Sequence, residues 1–124
     1  MDKDIKAIAA LAKKYFDALY GGDVELLAGI FHRRARLYCN NSENFVTMGV
    51  TDYLDIVRNR TNPIDRGDAR LDEVLQIIIS TPTTAVLRTR EMFLSKRFTD
   101  DLSLMKLNGE WKIVAKAWDF EVME

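Results

Sequence analysis

Apolar residues recur at spacings of three and four from Lys3 to Tyr20. Ile5, Ile8, Ala12, Tyr15, Phe16 and Leu19 fall on one side, and Lys6, Lys13, Lys14 and Asp17 on the other. That period predicts a long amphipathic helix. Gly21-Gly22 ends it, because glycine takes the left-handed C-cap conformation without a Cβ penalty, and Asp23 is placed to cap a short second helix, Val24 to Phe31. The period then falls to two. Ala35 to Asn40 and Phe45 to Met48 read as short strands around the turn-prone Asn40-Asn41-Ser42. A third helix, Asp52 to Arg60, follows with Thr51 or Asp52 as its cap and Tyr53, Leu54 and Val57 on one face. Thr61 to Arg70 holds a proline, a glycine and mixed charge without a period, and reads as a loop.

Beyond that loop the chain turns to strand. Leu71 to Ser80 is rich in β-branched residues, Thr81-Pro82-Thr83 interrupts it, and Thr84 to Leu94 resumes. A tight connection at Ser95-Lys96 leads to Asp101–Leu107 and Glu110–Ala117. Asn108-Gly109 joins these last two, and Asn-Gly between alternating apolar residues is the signature of a type I′ hairpin turn, which needs positive φ at both central residues. The order of elements predicts an α+β domain spanning 1–124, with helices packed on one face of a curved sheet.

Eighteen Lys and Arg against 19 Asp and Glu give a formal charge of -1, so no overall field favours nucleic acid, and no basic stripe with interleaved aromatics appears. The longest apolar run, around Ile77 to Ile79, is far below the ~20 residues of a membrane helix. The start MDKDIK lacks a cationic flank followed by an apolar segment, which reads as a cytoplasmic protein without a secretory signal. The single cysteine, Cys39, forms no internal disulfide, and the single histidine, His32, has no second imidazole for a metal site. No metal or cofactor is indicated.

The run YFDALYGGDVELLAGIFHRRARLY, the third helix, and the terminal FTDDLSLMKLNGEWKIVAKAW resemble the nuclear transport factor 2-like superfamily, in its branch of putative lumazine-binding and SnoaL-like proteins. The resemblance implies a cystatin-like, cone-shaped, curved mixed or antiparallel sheet covered by three helices, an enclosed cavity, and a homodimer formed through the sheet. Superfamily enzymes such as ketosteroid isomerase need a base to move a proton and two donors to hold the enolate oxygen. Matching the Gly-Asp, the Phe after helix two and the Asn-Gly turn puts Tyr15 at the tyrosine position, Cys39 at the base position and Ser103 at the acid position. The isomerase set is therefore incomplete.

The residues themselves supply other candidates. Arg88 and Arg90 share one face of a strand with Met92, where they either line the cavity and bind an anion or face outward and pair with Asp101 and Asp72. Asp100 and Asp101, being adjacent, point to opposite faces, so one of them enters the cavity. Tyr15, Tyr38, Tyr53 and Trp111 come from separated elements and could stack a flat ring while hydrogen-bonding its edge. Cys39 reads as a small residue of the cavity wall and His32 as a helix-end residue that bonds backbone. The expected function is small-molecule binding, of a flat heterocycle or anionic metabolite, by Tyr15, Tyr38, Tyr53, Arg88, Arg90 and Trp111. The first alternative is a SnoaL-like cyclase or isomerase using Asp100 or Asp101 with Tyr15. The second is a protein-interaction module with a filled cavity.

Overall fold

The computed structural model describes residues 2–123. Helix α1 (Asp2–Gly21) buries Ile8, Leu11, Ala12, Tyr15, Phe16, Ala18 and Leu19, the face that the spacing defines. Gly22 follows at φ +64°, and the Asp23 carboxylate accepts the Leu26 N–H at 3.1 Å to start α2 (Val24–Ile30). Phe31 opens strand β1 (Phe31–Asn41) instead of ending that helix. Strand β2 (Asn44–Gly49) returns through Ser42 and Glu43, both left-handed, so of the expected turn Asn40-Asn41-Ser42 only Ser42 lies in it and the two asparagines end β1. Helix α3 (Val50–Asn59) starts two residues earlier than its polar residues suggest. Gly49 is its N-cap, and neither Thr51 nor Asp52 serves that role.

The aperiodic segment is not wholly loop. Asn62 accepts the Asp65 N–H at 2.9 Å and Pro63 occupies the first turn, which nucleates a one-turn helix, α4 (Pro63–Arg66), ended by left-handed Gly67. Four long strands complete the chain: β3 (Leu71–Thr81), β4 (Thr84–Phe93), β5 (Lys96–Leu107) and β6 (Glu110–Val122). Asn108 and Gly109 take φ of +52° and +81°, as the hairpin turn requires. The β4–β5 turn is made by Leu94 and Ser95, also left-handed, and the Asp68 carboxylate holds it by accepting the Leu94 N–H at 2.9 Å.

One mixed sheet runs in the order β2-β1-β6-β5-β4-β3, antiparallel except for the β1–β6 pair. It bends but does not close, and bulges break the register of β1 between Phe31 and Arg36 and of β5–β6 between Ser103 and Leu104. α1, α2 and α3 pack on its inner face. Ala85, Leu87, Leu102, Leu104 and Ile113 from the strands meet Ile8, Tyr15, Leu27 and Val57 from the helices there. Among the described residues no helix is long and apolar enough to cross a membrane.

Candidate functional site

Alternation along β4 sends Ala85, Leu87, Thr89, Glu91 and Phe93 inward. Two of those five are polar, and both are buried: Thr89 is 0% exposed and Glu91 2%. The antiparallel register sets Asp100 of β5 opposite Thr89 and beside Trp118 of β6. Asp100 is 0% exposed, whereas its neighbour Asp101 lies on the outer face. The β5–β6 bulge displaces the inward set of β6 by one residue, from Trp111 and Ile113 before it to Lys116 and Trp118 after it. A lysine thereby enters the core, and Lys116 is 5% exposed.

These groups meet at one floor. The Tyr15 hydroxyl donates to Asp100 Oδ2 at 2.6 Å, and Thr89 approaches the same oxygen at 3.5 Å. Lys116 Nζ lies 3.9 Å from that oxygen and donates to the Tyr53 hydroxyl at 3.1 Å. The ammonium also stands 4.8 Å from the Tyr53 ring centre, 5.2 Å from Trp118 and 5.3 Å from Tyr15, an aromatic cage that stabilises a cation with little water present.

Protonation follows from this packing. Burial alone disfavours the lysine charge, but the Asp100 carboxylate, with smaller help from Tyr53 and Glu91, keeps the Lys116 pKa above its ordinary value. Burial, then the Asp100 charge, then a hydrogen bond between the two carboxyls push Glu91 well above the usual carboxylate range. Burial and Asp100 likewise hold the Tyr15 phenol well above its usual value. Glu91 Oε2 and Asp100 Oδ1 are buried and receive no donor from the described residues. The raised pKa of Glu91 favours its protonated form, in which the carboxyl becomes a donor within this acceptor-rich pair.

A hollow of about 80 Å³ opens above this floor between the end of α3 and the strand edge. Tyr53, Glu91, Phe93, Phe98, Lys116 and Trp118 line it, with Met48, Ile56 and Arg60 toward the outside. Phe93, Phe98 and Phe120 form a tilted aromatic stack beside the mouth, with centroids 5.3 and 5.9 Å apart. Larger hollows are surface grooves. One of about 330 Å³ runs along Arg70, Asp72, Glu73 and Arg90, where Arg70 is already paired with Asp17 and Asp72.

The structure brings Tyr15, Tyr53 and Asp100 together and sends the other sequence candidates elsewhere. Arg88 and Arg90 face outward. Arg88 bonds Asp101 at 2.7 Å and Gln76 at 3.2 Å, and Arg90 lies 3.9 Å from Glu73. Arg88 thus takes the pairing with Asp101, while Asp72 goes to Arg70. Tyr38 is 40% exposed on the outer face of β1. Trp111 is buried at the far end, where its indole N–H and Lys106 both bind Asp4 at 3.1 Å. Ser103 is exposed on the outer face, and the carboxyl beside Tyr15 belongs to Asp100, three residues earlier. Cys39 is buried on the inner face of β1, and burial raises its thiol pKa. His32 accepts the Arg34 N–H at 3.0 Å, a local backbone contact. Glu91 and Lys116 were not among the sequence candidates. An acidic residue in phase with the apolar positions Ala85, Leu87 and Phe93 is the signal for Glu91, and the bulge conceals the equivalent signal for Lys116.

The model of a family described as "Putative lumazine-binding" matches residues 3–119. Among solved structures, a nuclear transport factor 2-like protein of unknown function from Shewanella baltica superposes with a TM-score of 0.86 at 21% identity, covering 96% of this chain and 94% of that one. A ketosteroid isomerase-like protein from Erwinia carotovora atroseptica gives 0.73 at 12% identity, with 97% and 98% covered. A domain of unknown function with a cystatin-like fold from Nostoc punctiforme gives 0.76 at 16% identity, with 99% and 80% covered. At these identities the likeness concerns the fold. No curated protein matches the chain.

Proposed function

The chain belongs to the putative lumazine-binding family of the nuclear transport factor 2-like superfamily, and from that premise we propose that it binds a small flat heterocycle, edge first, in the hollow above Lys116. The observation that carries this reading is a caged, buried ammonium at the bottom of an aromatic cleft. An ammonium has three N–H groups, and within the protein Lys116 donates one of them, to Tyr53. A ring carbonyl placed at the floor accepts another, while Phe93, Phe98 and Trp118 flank the ring face. A hollow of about 80 Å³ has room for roughly two or three waters, so the inserted part is an edge and the rest of the ring occupies the mouth. Native mass spectrometry of the purified protein, followed by calorimetric titration with flat heterocycles, tests the reading. One ligand per chain, lost in Lys116→Met, supports it. Preparations that are always empty and show no melting shift across such a panel refute it.

A second reading, an acid-base enzyme of the SnoaL type, is favoured by Glu91 at the wall of the hollow, whose carboxyl is held well above its usual pKa range by burial and the Asp100 charge. Deuterium exchange into an acidic ring carbon of a bound compound, abolished in Glu91→Gln, would move the assignment to catalysis. Binding without exchange keeps it at recognition. Homodimerisation through the outer sheet face, where Tyr38, Ile78 and Met105 are exposed, belongs to the same proposal and is checked by light scattering.

A further inference from the structure

Resting on the binding reading above, we propose that the floor selects a neutral lactam or imide edge, an N–H beside a C=O, and rejects a carboxylate or other anion inserted at the same place. In this pose Lys116 donates to the ring carbonyl and Glu91 accepts the ring N–H.

The charges at the floor already cancel. Lys116 lies 3.9 Å from Asp100, and a second buried carboxyl, Glu91, lines the same hollow, so the ammonium has its counterion within the fold. An anion pushed down to Lys116 would add a negative charge beside two carboxyls, in a site where Asp100 is 0% and Glu91 2% exposed. Little water reaches that depth to screen the repulsion, and leaving such a charge uncompensated is the most unfavourable form of burial. The buried lysine therefore does not mark an anion site, because its counterion is built in.

What the floor lacks is hydrogen-bond partners. The Lys116–Asp100 separation of 3.9 Å is too long for a hydrogen bond, so two ammonium N–H groups remain after the bond to Tyr53. Glu91 lines the hollow. One of its carboxyl oxygens, Oε2, receives no donor from the described residues, so the side chain has accepting capacity to spare. A strong donor on β6 and an acceptor on β4, with β5 between them, thus line the bottom of one cleft, where a ring edge carrying both C=O and N–H can meet the two. The small volume enforces the edge-on pose, and it places any acidic substituent at the mouth near Arg60, where water still hydrates a charge.

Three probes of two-ring size separate the possibilities: lumazine, lumazine methylated at both nitrogens of its pyrimidine ring, and naphthoate. They are titrated calorimetrically into the wild-type full chain in mildly acidic buffer, where lumazine is neutral. Lumazine is expected to bind at least about tenfold more tightly than either other probe, the effect of leaving a buried polar group unpaired or a buried charge uncompensated. Glu91→Leu is expected to reduce lumazine affinity about tenfold while leaving the methylated compound unchanged, and that second arm reports an intact cleft. Naphthoate binding as tightly as lumazine, or a Glu91→Leu loss equal for both lumazines, overturns the selection while leaving a binding pocket in place. No binding of any probe removes the pocket reading, and the selection falls with it.

Discussion

Replacing Asp100 with Asn keeps the shape of the floor and removes its negative charge, which isolates what that charge contributes. At 3.9 Å and an effective dielectric of about 20, the attraction between Asp100 and Lys116 is about 4 kcal/mol. The Tyr15 hydrogen bond at 2.6 Å also loses its charged acceptor. Breaking a buried pair by removing one partner typically costs about 3–5 kcal/mol, because the other charge is left without compensation. Here the lower end applies, since Glu91 is freed from the Asp100 charge and can ionise as the new partner of Lys116. The expected loss is about 3 kcal/mol, a large share of the roughly 5–15 kcal/mol that stabilises a domain of this size. The double variant Asp100→Asn, Lys116→Met removes both charges and is expected to return to within about 1 kcal/mol of the native protein. Urea unfolding followed by the fluorescence of Trp111 and Trp118 measures both. A single variant that loses less than about 1 kcal/mol, or a double variant no more stable than the single, would show that Asp100 does not balance Lys116.

Glu91 makes a distinct prediction with pH. A carboxyl whose folded pKa is raised binds its proton more tightly in the native state, so the native chain holds more protons than the unfolded one between the ordinary glutamate value, about 4.3, and the raised value. Stability falls as pH rises through that window, by up to about 1.4 kcal/mol per unit from this group, and Glu91→Gln should remove that component. Parallel urea midpoints for the two proteins across mildly acidic to neutral pH would contradict the assignment. Gly22→Ala forces a side chain into φ +64° with its Cβ only 2.9 Å from the Asn62 Cβ, at the residue that caps α4. A loss of about 2 kcal/mol is expected, a fall of several degrees in the melting temperature, and an unchanged melt would rule out that contact. Arg88→Ala breaks a pair whose side chains are 44% and 52% exposed, so it should cost under about 1 kcal/mol and leave titrations of the hollow unchanged. Weakened ligand binding in that variant would return the outer face to consideration.

The elements were legible in the sequence wherever one strong local signal decided them. The spacing of α1, the Asn108-Gly109 turn and the β-branched runs of β3 and β4 each state their structure within a few residues. The errors fall where local chemistry was outvoted. Asp52 is a better capping residue than Gly49, yet α3 begins at Val50 because Val50 is buried against the core and carries the first turn inward. The four residues of α4 have no period to detect, and only Asn62-Pro63 marks their start. Site residues were harder, because facing depends on register. That adjacent aspartates point opposite ways follows from the pleat alone, but which of Arg88 and Glu91 looks inward depends on how β4 meets the helices. For Lys116 even the strand pattern misleads. Counting by twos from Trp111 puts Ala115 and Ala117 inside and Lys116 outside, and the extra residue at the bulge reverses this.

The same bulge bears on why the floor can be a recognition surface. Tyr15, Tyr53, Glu91, Asp100 and Lys116 come from α1, α3, β4, β5 and β6, five elements fixed by the apolar core beneath them. None of the five relies on a mobile loop for its position, and Lys116, with the most rotatable stem, is held by Tyr53, Asp100 and three rings. Side chains already ordered in the free protein lose little further entropy when a ligand arrives, so a few well-placed hydrogen bonds suffice for a small ring. A purely apolar filling of similar volume would stabilise the domain at least as well. Fold stability alone therefore gives no reason for a lysine, two carboxyls and two phenols at this depth, and the proposed recognition of a polar ring edge by Lys116 and Glu91 supplies one.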